Sequence, residues 1–138
     1  MDAVTNAKQA ISTIGGSLVD FISDRQRRVL MEMLTGEEKE GVAEVVLELS
    51  DRIEKMPKTY ETDNQGDNAI VHLHYFYAGM DWYFTEKDVY SGQHQAFGYS
   101  RYSTGAGEMG YISLPSLLRD GEVEVDLYWD PKPLKDVK

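Results

Sequence analysis

A chain of 138 residues with 24 acidic and 14 basic side chains carries a formal net charge of −10, which argues against unassisted binding to phosphate backbones, since lysines and arginines drive that affinity by displacing counterions. With no cysteine, disulfides, thiolate zinc sites and cysteine nucleophiles drop out together, and a reducing, cytoplasmic setting is the simplest expectation. The length suits a single domain over residues 1–138, large enough to bury a core without covalent help. No segment has the apolar length of a membrane span, and Met1 to Ile14 lack the basic start and apolar run of a secretory signal.

Residues 1–57 read as helical. A weak helical stretch over Ala3 to Ser12 is followed by Gly15-Gly16. Leu18, Phe21, Ile22, Val29 and Met33 then recur at spacings of three, four and seven, which predicts one helix capped by Ser17 and ending near Leu34. Within it, Asp24-Arg25-Gln26-Arg27-Arg28 is the only basic cluster; Arg28 is expected to pair with Asp24 or Glu32 at helical spacing. Thr35 and Glu38 have the spacing of a capping box, so a second helix is expected to start close to Gly36. Its stripe is Val42, Val45, Val46, Leu49, Ile53 and Met56, with Glu40, Glu44, Glu48, Asp51 and Lys55 mostly off it, and Pro57 ends it. Residues 58–68, polar and glycine-bearing, read as a connection.

From Ile70 the hydrophobic period changes to two, and residues 69–131 read as an antiparallel sheet with one short helix. Val71 to Phe76 and Trp82 to Glu86 form a hairpin about a turn at Ala78-Gly79-Met80. A polar loop from Lys87 to His94 leads to a strand over Ala96 to Tyr102, and a turn over Ser103 to Gly107 leads to Met109 to Ile112. Ser113 to Leu118 is a short helical turn with Pro115 at its start. In Val123 to Trp129, Val123, Val125, Leu127 and Trp129 point one way, toward the helices, and Glu124, Asp126 and Tyr128 point to water. Residues 132–138 are expected to be a frayed tail. The fold class is therefore α+β, N-terminal helices packed on a C-terminal antiparallel β-sheet of about five strands. Of the 15 aromatic residues, only Phe21 precedes Tyr60.

The words Asp81-Trp82-Tyr83-Phe84-Thr85-Glu86-Lys87-Asp88, Gln95-Ala96-Phe97-Gly98-Tyr99, Glu108-Met109-Gly110-Tyr111-Ile112-Ser113-Leu114 and Asp126-Leu127-Tyr128-Trp129-Asp130-Pro131 cover about the C-terminal half. In these words and their order the chain resembles an uncharacterised family of small domains, classed as a domain of unknown function, encoded by plasmids, phages and other mobile elements. The resemblance implies an accessory role in mobile-element biology, against a host defence system or with the element's own machinery. It transfers no catalytic residue.

Two constellations carry candidate chemistry. His72 and His74 lie two apart on a predicted strand, Glu86 and Asp88 end the next, and His94 opens the third; two imidazoles and a carboxylate, His72, His74 and Glu86, are the donor set of a zinc or non-haem iron site. That is the basis of an alternative reading, a small metal-dependent hydrolase. The bland account is a histidine packed in the sheet and an ordinary charged strand end. The second constellation is tyrosine-rich: Tyr75, Tyr77, Tyr83, Tyr99, Tyr102, Tyr111 and Tyr128. Residues 58–138 carry only Arg101 and Arg119 as arginines, which disfavours a stacking platform for single-stranded nucleic acid. Tyrosine is instead enriched at protein interfaces.

The leading expectation is accordingly a non-enzymatic accessory protein without a cofactor. It binds another protein, neither nucleic acid nor membrane, through Tyr83, Tyr99, Tyr102, Glu124, Asp126 and Tyr128 on the uncovered side of the sheet. A homodimer that buries Trp82 or Tyr111 is a third reading. No Gly-x-Ser-x-Gly elbow accompanies Ser113 or Ser116, and Gly105-Ala106-Gly107 lacks the lysine of a phosphate loop.

Overall fold

The computed structural model describes residues 3–88, 94–103 and 105–138. Helices come first: α1 (Ala3–Gly15), α2 (Asp24–Met33) and α3 (Lys39–Lys55). The single helix expected from Ser17 to Leu34 is not formed. Gly16 to Ile22 is a series of turns, closed by hydrogen bonds from Leu18 N to Thr13 O (3.0 Å) and from Phe21 N to Leu18 O (2.9 Å). Leu18, Phe21 and Ile22 are buried from these turns, so tertiary contact, not helical geometry, explains their spacing. Val29, on the expected stripe, is exposed. Ser23 replaces Ser17 as the cap, its hydroxyl accepting from Gln26 N at 3.2 Å. Arg27, not Arg28, pairs with Asp24 (3.0 Å).

The α3 stripe is as expected in Val42, Val46, Leu49 and Ile53, joined by Ala43. Its start differs. Thr35 donates its hydroxyl to Glu32 O (2.8 Å), tightening the end of α2, and Glu38 is the cap residue without a side-chain bond. The capping box therefore does not form, because the threonine is spent on the preceding helix. Ala7, Ala10 and Ile14 bury the inner side of α1 in the same core as α3, where the short alanines permit close approach.

The strands are β1 (Ile70–Val71), β2 (Leu73–Tyr77), β3 (Met80–Asp88), β4 (Gln95–Arg101), β5 (Glu108–Ser113), β6 (Glu124–Val125) and β7 (Lys132–Pro133), with the one-turn helix α4 (Leu114–Leu118) after β5. Five form an antiparallel sheet in the order β5-β4-β3-β2-β6, and β1 pairs separately with β7. In the β2–β3 hairpin Tyr77 faces Met80, so Met80 belongs to the strand and Ala78-Gly79 is the whole loop. Both loop residues have positive φ, 47° and 83°, as a type I′ turn requires. Most of the expected polar loop, residues 89–93, lies outside the described residues, as does Thr104 of the next turn.

One face of the sheet packs on the helices through Leu73, Tyr75, Trp82, Phe84 and Ala96, each worth roughly 1.5–3 kcal/mol for its larger members. Tyr75 donates its hydroxyl to Phe21 O (2.6 Å), and burial raises its pKa. Lys87 points the same way, where its ammonium donates to the carbonyls of Ile53 and Glu54 at the end of α3, a favourable place for a cation. Desolvation, then Lys58, lowers its pKa.

Two irregularities reset which residues share a face. His72 lies between β1 and β2 and donates its N–H to Phe84 O (2.9 Å), although Phe84 is already the partner of Leu73. Val71 consequently joins the far side of the sheet while Leu73 faces the helices. In β3 the register against β4 shifts between Phe84 and Glu86, leaving Thr85 as the extra residue of a bulge.

The far face is not open, as expected, but partly covered by the C-terminal segment. Only Glu124–Val125 of the expected strand over residues 123–129 is a strand. Asp126 Oδ1 accepts from Tyr128 N (3.0 Å), turning the chain, and Trp129 swings to the far face. There its indole N–H donates to Val71 O (3.0 Å). Residues 132–138 are not frayed: β7 pairs with β1, Leu134 is 2% exposed, Val137 O accepts from Arg101 (2.8 Å), and Lys138 reaches Asp67 (2.7 Å). Ala69, Val71, Tyr83, Tyr99 and Leu134 make a second apolar cluster beneath this segment.

On the opposite edge, α2 supplies a polar lock. Gln26, buried, donates its amide to Val125 O (2.9 Å) and accepts from Val125 N (3.0 Å). The side chain thus occupies the place a further strand would take beside β6.

Candidate binding site

At the centre of the far face, the His74 ring stacks on Tyr83, centroids 4.7 Å apart and planes 8° apart, with Trp129 at 5.0 Å and Phe76 at 5.8 Å. Asp126 Oδ2 lies 3.0 Å from Nδ1 and Asp81 Oδ1 lies 2.7 Å from Nε2. One carboxylate thus stands at each ring nitrogen and fixes the orientation of the imidazole. Around this group the surface is aromatic and acidic. Phe76 and Tyr128 are exposed (39% and 80%), and Glu124 faces Phe76 across the β2–β6 pairing. Lys132 spans the Trp129 ring at 4.8 Å.

The expected interface residues divide. Glu124, opposite Phe76, and Asp126, on His74, lie at this surface, and Tyr128 follows with its main-chain N–H on Asp126 and its side chain exposed. Tyr83 and Tyr99 do not, being buried at 6% and 8% exposure. Tyr83 accepts from Arg101 (3.1 Å) and Tyr99 accepts from Gly107 N (2.9 Å); desolvation and Asp81 raise the Tyr83 pKa. Tyr102 is exposed but meets the edge of Trp82, a residue of the helix-facing core. Tyr77 lies beside Glu122, whose charge raises its pKa. Trp82, 5% exposed, is core and supplies no surface for self-association. Phe76, Asp81 and Trp129 stand outside the expected interface; of these only Phe76, in phase with His74 along one strand, carries a signal in the sequence.

The histidines do not converge with Glu86. Both nitrogens of His74 are taken by aspartates. His72 sits half-buried toward Arg52 of α3, and desolvation, then that charge, lowers its pKa below 6.5. His94 Nδ1 stands 3.6 Å from Asp20. Among the described residues no trio of histidine, aspartate or glutamate is arranged to hold a metal ion. The irregularity at His72 separates it from the face of His74, while Glu86, although the bulge at Thr85 brings it to the far face that His74 shares, lies three residues beyond the Tyr83 partner of His74 and gives its carboxylate to Tyr60 and Thr62.

His72 gives a pH dependence of definite sign. The unfolded chain takes up a proton near pH 6.5 that the folded one resists, so its contribution is fully present above that value and is lost as pH falls toward the depressed folded pKa. Urea midpoints measured from pH 8 down to 5.5 should fall more steeply for the parent than for His72→Gln. Parallel curves would contradict this account.

Glu86 occupies a separate place. Its bulge turns it to the far face, where it is 3% exposed and accepts from Tyr60 N (2.8 Å), Thr62 N (3.0 Å) and the Thr62 hydroxyl. It thereby organises the connection after α3, in which Tyr60 has φ +67°. Next to it opens a pocket of about 240 Å³ lined by Tyr60, Phe97, Met109 and Tyr111 among others. Desolvation, the neighbouring Tyr60 hydroxyl, Glu86 and Asp88 push the Tyr111 pKa up to about 12.

No helix among the described residues is long and apolar enough to cross a membrane. No family model, curated protein or solved structure matches this chain.

Proposed function

We propose that the protein is a non-enzymatic binding module, working in the cytoplasm as an accessory of a mobile element and engaging a basic segment of a protein partner. The partner belongs to a host defence system or to the element's own machinery. The observation that carries the reading is the surface of Phe76, Asp81, Glu124, Asp126 and Tyr128. It joins exposed rings to carboxylates on a chain of net charge −10. Aromatic side chains anchor interfaces through contact area, while complementary charge steers and selects the partner. The His74 clamp supports this role by fixing two of the carboxylates without polar adaptation on binding. The reading assigns no catalytic group and no cofactor.

The test begins with partners that co-purify with the tagged protein from its native host, followed by affinity measurement against the purified partner. Phe76→Ala with Glu124→Lys should weaken the complex at least tenfold while leaving the thermal midpoint nearly unchanged, and added salt should weaken the parent complex. Undiminished affinity in the double variant would overturn the assignment of this surface.

A further inference from the structure

The pocket beside Glu86 has the chemistry of a cation site. Phe97 and Tyr111 are cross-strand partners whose ring centroids are 5.0 Å apart with planes inclined at 57°, so they form a corner instead of a stack. Tyr60, 67% exposed, and Met109, 41% exposed, add to its lining. Glu86 and Asp63 also line it, and no lysine, arginine or histidine does. The Glu86 carboxylate is buried, and its hydrogen bonds come from two backbone N–H groups and one hydroxyl. Every lysine, arginine and histidine of the chain lies among the described residues, and none forms an ion pair with it. A buried carboxylate without a countercharge is costly unless a cation is brought to it. Among the described residues, oxygen Oε1 accepts only from Tyr60 N, which leaves it a lone pair toward them.

We infer that this pocket binds an alkylated ammonium group, the shared head of a methylated lysine and of a free quaternary amine. Aromatic faces attract such a cation through their quadrupoles, most strongly where water is displaced, and Glu86 supplies the matching charge. The volume is below the ~300–1,000 Å³ of drug-sized ligand sites, so the pocket accommodates a head group and leaves the rest of the ligand outside. An anion would meet two carboxylates, and a neutral group of the same shape would leave Glu86 unmatched. The site is distinct from the surface around Phe76 and does not depend on that surface binding anything.

The test is an amide-resolved NMR titration of the full chain with tetramethylammonium and with choline and, in parallel, with 3,3-dimethyl-1-butanol, the neutral counterpart of choline in shape. The cations should give saturable shifts at residues 60–62, 97 and 109–111 with millimolar affinity, and the alcohol should not. Tyr111→Ala, at a partly exposed position, should weaken the cation at least tenfold. Glu86→Gln, which keeps an acceptor and removes the charge, should do the same if the variant folds. Equal binding of the alcohol, unchanged affinity in Tyr111→Ala, or no saturable shift with tetramethylammonium would overturn the inference. Choline and a trimethyl-lysine peptide then distinguish the sources: a marked preference for the peptide assigns the site to a protein tail, and equal or better binding of choline assigns it to a free amine.

Discussion

Replacing Gln26 by leucine is expected to destabilise the protein by about 2–4 kcal/mol, because it orphans two buried main-chain groups at roughly 1–3 kcal/mol each. Those groups are the N–H and C=O of Val125, now bonded to Gln26 at 3.0 and 2.9 Å. Leucine matches the volume of the site closely, so packing loss contributes little and the measured change reports the polar lock. Gln26→Glu offers a graded comparison: the carboxylate still accepts from Val125 N but faces Val125 O without a proton to give. Urea unfolding of the three proteins at one pH should rank parent above both variants. A leucine variant within about 0.5 kcal/mol of the parent, the range of an ordinary surface change, would mean that water replaces the amide at no cost.

Gly98→Ala should be at least as damaging. Gly98 lies opposite Phe84 at the bulge of β3. A β-carbon there would fall on the carbonyl oxygen of Tyr83 and stand 2.8 Å from Phe84 Cα. The obstacle is backbone, which no rotamer change can move aside, so β3 and β4 would have to separate within the core. A loss of ~3 kcal/mol or failure to fold is expected, at or beyond the usual limit for overpacking. Gly110→Ala provides the control. Gly110 pairs directly with Gly98 from β5, yet its added β-carbon meets nothing within 4 Å. Thermal midpoints should drop sharply for the first substitution and barely for the second; similar midpoints would refute the steric argument.

The fold class and α3 were legible because long periodic patterns report burial directly. The α+β order, the β2–β3 hairpin and the stripe Val42, Val46, Leu49 and Ile53 all follow from that signal. The division between α1 and α2 was not, since Leu18, Phe21 and Ile22 are buried from turns at spacings a helix would also use. Strand parity fails for a different reason. A bulge adds one residue without leaving a mark in hydrophobicity, so everything beyond His72 or Thr85 changes face. Simple alternation therefore puts His72 with His74, and Glu86 with Trp82 and Phe84, neither of which the sheet does. The order of the tail has no such signal, because Leu134, between Pro133 and Lys135, shows no period, although it fills the second apolar cluster. Tyr83 and Tyr99 followed it inside. Gln26 offered no signal at all: amid three arginines and an aspartate it looks like solvated surface, and its partner Val125 is distant in sequence.

The two margins of the main sheet are consequently unequal. Beyond β6, the outward amide and carbonyl of Val125 are consumed within the molecule, whereas among the described residues β5 has a neighbour on one side only. Strand-by-strand polymerisation demands two receptive margins per subunit, one to donate and one to receive. With one margin stoppered by a glutamine, edge-to-edge growth of this sheet has the β5 margin alone to start from, and a second copy paired there would find no matching margin to extend.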